Sequence, residues 1–163
     1  LKLNSSNTAG TSSVVFNDTN PTSSNIVLGD NTSVNNNGST YIAYCFSNVE
    51  GYSKIGRFLG NGSTNGPFVM LGFRPKLIIT KKADGTGHWY IWDTERQPGN
   101  EAERKVLWFN YNSEDEGDHS AYAIDFLSNG FKVRNNESDT NTNGSTQLYM
   151  AFAERPFKYA NGL

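Results

Sequence analysis

The chain has 163 residues, enough for one large domain or for one module and part of another. Charged residues make up 18% of it and aromatic residues 13%, so Asn, Ser, Thr and Gly supply most of its polarity. Such a composition favours strands and tight turns over helices. The net charge of −2 offers no basic face for phosphate groups, so we expect no nucleic-acid partner. The single cysteine, Cys45, excludes an intramolecular disulfide, and no apolar run is long enough to predict membrane insertion.

Short apolar–polar alternations recur along the chain, separated by Gly, Asn and Pro, and no window shows a helical stripe. Loops rich in Gly and Asn at residues 60–66, 83–87 and 128–130 have the chemistry of hairpin turns. The predicted strands are residues 13–16, 25–28, 41–47, 52–59, 68–73, 76–82, 89–93, 105–110, 121–127, 131–134 and 148–153. The sequence therefore predicts an all-β fold, a jelly-roll-like antiparallel β-sandwich.

An internal repeat organises these strands. Residues 35–40, Asn-Asn-Asn-Gly-Ser-Thr, return 106 residues later at 141–146 as Asn-Thr-Asn-Gly-Ser-Thr, each followed by an apolar run. Residues 1–47 align with 107–153 at that offset without a gap. A repeat of this length indicates tandem β modules and not a solenoid. We therefore expect residues 1–50 to be the C-terminal half of a first module and residues 51–163 to be a complete second module.

Several sequence segments resemble those of a known group of proteins. They include residues 43–54 (Ala-Tyr-Cys-Phe-Ser-Asn-Val-Glu-Gly-Tyr-Ser-Lys), 72–79 (Gly-Phe-Arg-Pro-Lys-Leu-Ile-Ile), 89–94 (Trp-Tyr-Ile-Trp-Asp-Thr) and 124–133 (Ile-Asp-Phe-Leu-Ser-Asn-Gly-Phe-Lys-Val). In order and spacing they resemble the tandem modules of tail-fibre and tail-spike-like proteins of marine tailed bacteriophages. The resemblance implies a structural protein in an exterior appendage of the virion, without a cofactor or a catalytic set. It assigns no binding residue to the divergent stretch 95–119.

Aromatic residues beside acids and amides are the candidate glycan-binding residues, because an aromatic face stacks on a sugar ring while polar groups bind its hydroxyls. A core position is the alternative for Trp89 and Trp92, since their strand carries aromatics on both faces. The loops at residues 96–104 and 113–119 are the longest segments without strand character, which favours them for recognition. The candidate residues are Trp92, Trp108, Tyr111, Glu114, Asp115, Asp118 and His119.

Metal binding, enzymatic activity in general and glycan depolymerisation in particular have weaker support in the sequence. The acidic run at residues 114–118 lacks the ligand spacing of a calcium loop, and His88 and His119 have no partner at zinc-ligand spacing, so no metal site is predicted. No nucleophile or phosphate-binding motif is present, so we expect no enzyme. A glycan depolymerase remains an alternative, with its acids among Asp93, Glu95, Asp115 and Asp118.

Assembly is the last expectation from the sequence. A half module leaves sheet edges and apolar side chains such as Val14, Phe16 and Ile42 without cover, and such edges are normally paired or shielded. We therefore expect a homo-oligomer, a trimer if the chain belongs to a fibre, that contacts other virion proteins and a host-surface glycan. A purely architectural module, such as a capsid decoration or a fibre shaft, is the other alternative.

Overall fold

The computed structural model describes residues 1–96, 99–100, 105–111 and 120–155. Contacts divide the chain into two compact units. The smaller unit is Gly10–Phe46, and the larger unit combines Leu1–Ala9 with the chain from Ser47 onward. Strands occur in the larger unit, and two helices of one turn each, α1 (Ser13–Phe16) and α2 (Thr32–Asn35), occur in the smaller one.

The described residues of the larger unit contain eight strands, together with a 3-10 turn at Ser120–Tyr122 and a short helix, α3 (Ser138–Asn141). The strands are β1 (Ser53–Leu59), β2 (Phe68–Met70), β3 (Pro75–Lys82), β4 (Trp89–Asp93), β5 (Leu107–Trp108), β6 (Ile124–Leu127), β7 (Gly130–Val133) and β8 (Thr146–Ala153). Each lies at a position where the sequence predicts a strand. The all-β fold class is therefore confirmed.

The strands form two antiparallel sheets of unequal size. The larger sheet has the order β1-β8-β3-β4-β5 and the smaller one the order β2-β7-β6. The sandwich core lies between them, where Phe131 of β7 contacts Phe58 of β1 and Tyr149 of β8 edge-on, with ring centroids 5.9 and 5.8 Å apart. Strand β8 is hydrogen-bonded on both sides, by β1 and by β3, and is therefore an interior strand of the larger sheet.

A network of hydrogen bonds beside the core holds in place the chain segment that precedes β8. Asn141, at the end of α3, is fully buried, and its Nδ2 donates to the carbonyl oxygens of Asn135 (2.6 Å) and Ser63 (2.9 Å). Its Oδ1 accepts from the backbone N–H of Asn61 at 2.9 Å. A buried amide is tolerated only when its hydrogen-bonding groups are satisfied, so this network ties the β1–β2 loop to the start of β8.

The N-terminal segment Leu1–Ala9, which the sequence assigns to the first module, lies with the larger unit. The Ala9 N–H donates to the Ala83 carbonyl at 2.8 Å, and the Trp89 indole N–H donates to the Lys2 carbonyl at 2.9 Å. The repeat did not predict these contacts. They involve backbone carbonyls, which carry no signature in the sequence.

Three predicted strands are wrong, and all three involve the smaller unit. Residues 13–16 form the helical turn α1, while residues 25–28 and 41–46 belong to no strand, in a unit whose residues are all described. Their β-branched and aromatic residues favour a strand, but a strand requires a neighbour for its backbone groups. Apolar side chains remain exposed there, including Ile42 at 78% and Tyr44 at 80%.

The repeat nevertheless has a structural counterpart. Helix α2 corresponds to α3 at the offset of 106, and the turn glycines that follow, Gly38 and Gly144, have φ values of 76° and 75°. The Asn35 amide donates to the carbonyl six residues before it at 2.9 Å, as the Asn141 amide does at 2.6 Å. The repeated sequence therefore specifies the same local backbone twice. The module boundaries at residues 50 and 51 stay a prediction.

Candidate functional site

The predicted site residues divide into three groups. Trp92, on β4, is only 2% exposed, and its indole N–H donates to the Tyr122 carbonyl at 3.0 Å, so it is a core residue and offers no stacking face. Trp108 ends β5 and is half-buried, and Tyr111 follows it with 55% of its surface exposed. Four of the predicted residues lie outside the described part of the chain, namely Glu114, Asp115, Asp118 and His119.

Ring contacts lead from the core to the exposed Tyr111. Trp92 stacks on Tyr90 with a centroid distance of 5.6 Å and an interplanar angle of 21°. Tyr90 meets Trp108 edge-on at 6.1 Å, and Trp108 in turn meets Tyr111 edge-on at 6.0 Å. Such pairs prefer these geometries, and each contact restricts the next ring. The exposed ring is therefore held by successive contacts with the core.

Polar groups adjoin this series of rings on the same side. The His88 ring lies 5.1 Å from the Tyr111 ring, between centroids, and its Nδ1 is 3.2 Å from Asn110 Nδ2. Asn110 Oδ1 accepts from the Trp89 N–H at 2.9 Å, which fixes the amide in place. We call His88, Tyr90, Trp108, Asn110 and Tyr111 the aromatic edge, because β5 is the last strand of its sheet.

Asp139 closes the buried end of the aromatic edge. Its Oδ2 accepts from the Tyr90 hydroxyl at 3.1 Å and lies 3.4 Å from the His88 backbone nitrogen, which donates to it. Burial, reinforced by the negative charge of Asp139, raises the pKa of the Tyr90 hydroxyl far above its ordinary value. Tyr90 therefore remains a neutral donor, and Asp139 connects α3 to β4.

The candidates predicted from the sequence do not include four of these residues, namely His88, Tyr90, Asn110 and Asp139. His88 had a predicted role to weigh only as a zinc ligand. The β4–β5 pairing, with Tyr90 opposite Trp108, is what brings residues 88 and 110 together. The sequence carried part of that signal, because residues 89–93 and 105–110 are consecutive predicted strands, and antiparallel pairing of two such strands places the start of one beside the end of the other.

The acids proposed for a depolymerase are engaged in ion pairs where the structure describes them. Asp93 Oδ2 is 3.0 Å from Arg96 Nε, and Glu95 Oε1 is 2.5 Å from Lys76 Nζ. The other two candidates, Asp115 and Asp118, lie beyond the described residues. Asp93 and Glu95 are therefore both neutralised by a neighbouring cation.

The described residues contain no group of three or more His, Cys, Asp or Glu side chains placed to hold a metal ion. Among the same residues, none of the helices has the length and apolar character needed to cross a membrane.

One family of proteins matches this chain. The model of that family, described as a domain of unknown function (DUF7483), matches residues 1–156, and so extends through both compact units. No curated protein and no solved structure matches the chain. The aromatic edge lies within the matched range.

Proposed function

We propose that this chain, which belongs to the DUF7483 family, is a structural protein of a tailed-phage virion. Its place is a tail fibre or another host-facing appendage, where the aromatic edge binds a host-surface glycan. The resemblance of residues 41–157 to tail-fibre and tail-spike-like modules supports the virion assignment. The glycan assignment rests on one observation, the exposed Tyr111 ring held by the core beside His88 and Asn110.

The chemistry of the aromatic edge suits a neutral sugar. The face of Tyr111 stacks on the C–H face of a pyranose, while His88 Nε2 and the remaining hydrogen-bonding positions of the Asn110 amide reach its hydroxyl groups. A ring that is already fixed loses little conformational entropy on binding. The net charge of −2 favours neutral over acidic glycans.

Replacement of Tyr111 by Ala tests the glycan assignment. Because Tyr111 is 55% exposed, Tyr111→Ala should fold, and we expect the affinity for the bound glycan to fall at least about tenfold. The probes are immobilised O-antigen and capsular polysaccharides of candidate host bacteria. Tyr44→Ala is the matched control, since Tyr44 is 80% exposed but belongs to the smaller unit. Equal loss in both variants, or wild-type chain that binds no glycan, would contradict the assignment.

The virion assignment has a separate test. Antibodies raised against the 163-residue chain should label the tail tip or the fibres of the parent particle in electron micrographs. Labelling of the capsid would instead favour decoration of the head, and particles without label would contradict a virion role altogether.

An architectural module is the second candidate, and the smaller unit favours it. Val14, Phe16 and Ile42 are exposed, as expected of a segment that another protein surface covers in an assembly. In that case Tyr111→Ala leaves adsorption unchanged, while substitutions at these apolar residues impair assembly.

A further inference from the structure

Strand β8 and its repeat counterpart, residues 40–47, differ in structure: β8 lies between two strands of a sheet, whereas residues 40–47 belong to none of the strands that the structure describes. β8 pairs with β1 on one side and with β3 on the other, so that Ala151 lies opposite both Lys54 and Ile78. Ala151 is 0% exposed as a result, and Ile78 is fully buried as well. The burial of β8 therefore depends on strands supplied by residues 53–93, which we call the first-half segment.

At the offset of 106, Cys45 occupies the position of Ala151. Both residues are small, as the buried position in β8 requires, yet Cys45 is exposed. A second pair differs in the same way, since Val133 of β7 is buried and Val27, its counterpart, is exposed. Cys45 and Val27 are therefore suited to a sandwich interior, but they belong to neither of the two sheets formed by the described residues.

We infer that residues 40–47 are an acceptor strand for a partner β segment of the first-half type. Such a partner contributes one strand equivalent to β1 and one equivalent to β3, which pair with the two edges of the acceptor strand. The same partner covers the apolar side chains that β8 buries in the larger unit. This inference is independent of the proposed function.

Stoichiometry distinguishes this partner from further copies of the same chain. Each chain contains the second-half pattern twice, at residues 10–46 and 120–153, but the first-half segment once. The single first-half segment is already paired with β8. However many copies assemble, second halves outnumber first halves. The partner is therefore an additional segment with the pattern of residues 53–93.

The alkylation rate of the Cys45 thiol measures whether the acceptor strand is covered. The test uses the whole chain and a fusion in which a copy of residues 48–106 precedes Leu1, so that the repeat order is continued. The fused copy carries the first-half segment and keeps the offset of 106. We expect alkylation of Cys45 by iodoacetamide to be at least about tenfold slower in the fusion than in the chain alone, because a buried thiol reacts only when the structure opens.

Two matched variants complete the experiment. In the fusion, Ile78→Asp in the added copy alone should restore fast alkylation, because that side chain is the one that would lie opposite Cys45. A chain with Cys45→Ser and Ala151→Cys provides the rate for the enclosed position. Cys45 that reacts in the fusion as fast as in the chain alone would overturn the inference. Protection of Cys45 at high concentration of the chain alone would also overturn it, since a second copy would then be the partner.

Discussion

Residues 29–40 and 135–146 have similar sequences and similar backbone conformations, but the structure around them differs. Both contain a one-turn helix and a glycine with positive φ, and in both an Asn amide donates to the carbonyl six residues earlier. Only residues 146–153 continue as a strand, between β1 and β3. Local hydrogen bonds thus suffice for the turn, whereas the strand depends on its neighbours. Equivalent substitutions in the two copies separate these two contributions.

The largest difference should come from a charge at the equivalent positions Ala151 and Cys45. Ala151→Asp places a carboxylate in the closed sheet, where it is desolvated and unpaired, and should cost at least about 3 kcal/mol of unfolding free energy. Cys45→Asp, at an exposed position, should change the free energy by less than about 0.5 kcal/mol. Urea denaturation of both variants measures the difference, and similar losses would mean that residues 40–47 are enclosed as β8 is.

A smaller difference is expected for the paired asparagines. Asn141→Ala removes a buried amide and leaves the Asn61 N–H and two carbonyl groups unsatisfied, so we expect a loss of about 2–4 kcal/mol. Asn35→Ala removes one exposed hydrogen bond and should cost about 0.5 kcal/mol or less. Thermal or urea unfolding of the two variants gives the comparison. A costly Asn35→Ala would show that the smaller unit depends on its turn as strongly as the sandwich does.

The serines at the end of the repeated motif should differ least in stability. Ser145 Oγ donates to Asp84 at 2.5 Å, while Ser39 lies in the unit that lacks a counterpart of Asp84. Ser145→Ala should therefore cost about 1 kcal/mol at neutral pH, and Ser39→Ala almost nothing. Unfolding midpoints of the two variants in urea provide the measurement, and equal midpoints would contradict the pairing.

The same contact predicts a pH dependence. Hydrogen bonds from Ser145 and from the Thr146 N–H lower the pKa of Asp84 below its ordinary value of 3.8. Because the folded-state pKa is depressed, the stabilisation is present above 3.8 and is lost as the pH falls through the folded pKa. Ser145→Ala should lose less stability than the wild type over that acidic range. Parallel pH profiles for the two proteins would contradict the role of this hydrogen bond.

The strands of the larger unit were predicted well from the sequence because they pair with one another and so satisfy their backbone hydrogen-bonding groups. Alternation in residues 89–93 indicated β4, and the structure confirms the core alternative for Trp92. The apolar run at residues 41–47 also predicted a strand, but these residues belong to none of the described strands. A strand depends on pairing partners that are distant in sequence, and the local sequence does not indicate which segments those are. For the same reason the aromatic edge was predicted only in part. Trp108 and Tyr111 are close neighbours in sequence, but His88 and Asp139 join them through tertiary contacts.

Hydrogen–deuterium exchange of the unmodified chain tests the central comparison most directly. The account predicts slow exchange for the backbone amides of β8, which are hydrogen-bonded on both sides, and exchange within about tenfold of an unstructured peptide for residues 41–46. Both segments are measured in one molecule, so solution conditions and global stability are the same for each. Comparable protection in the two segments would contradict the account, because it would mean that residues 41–46 already have strand partners.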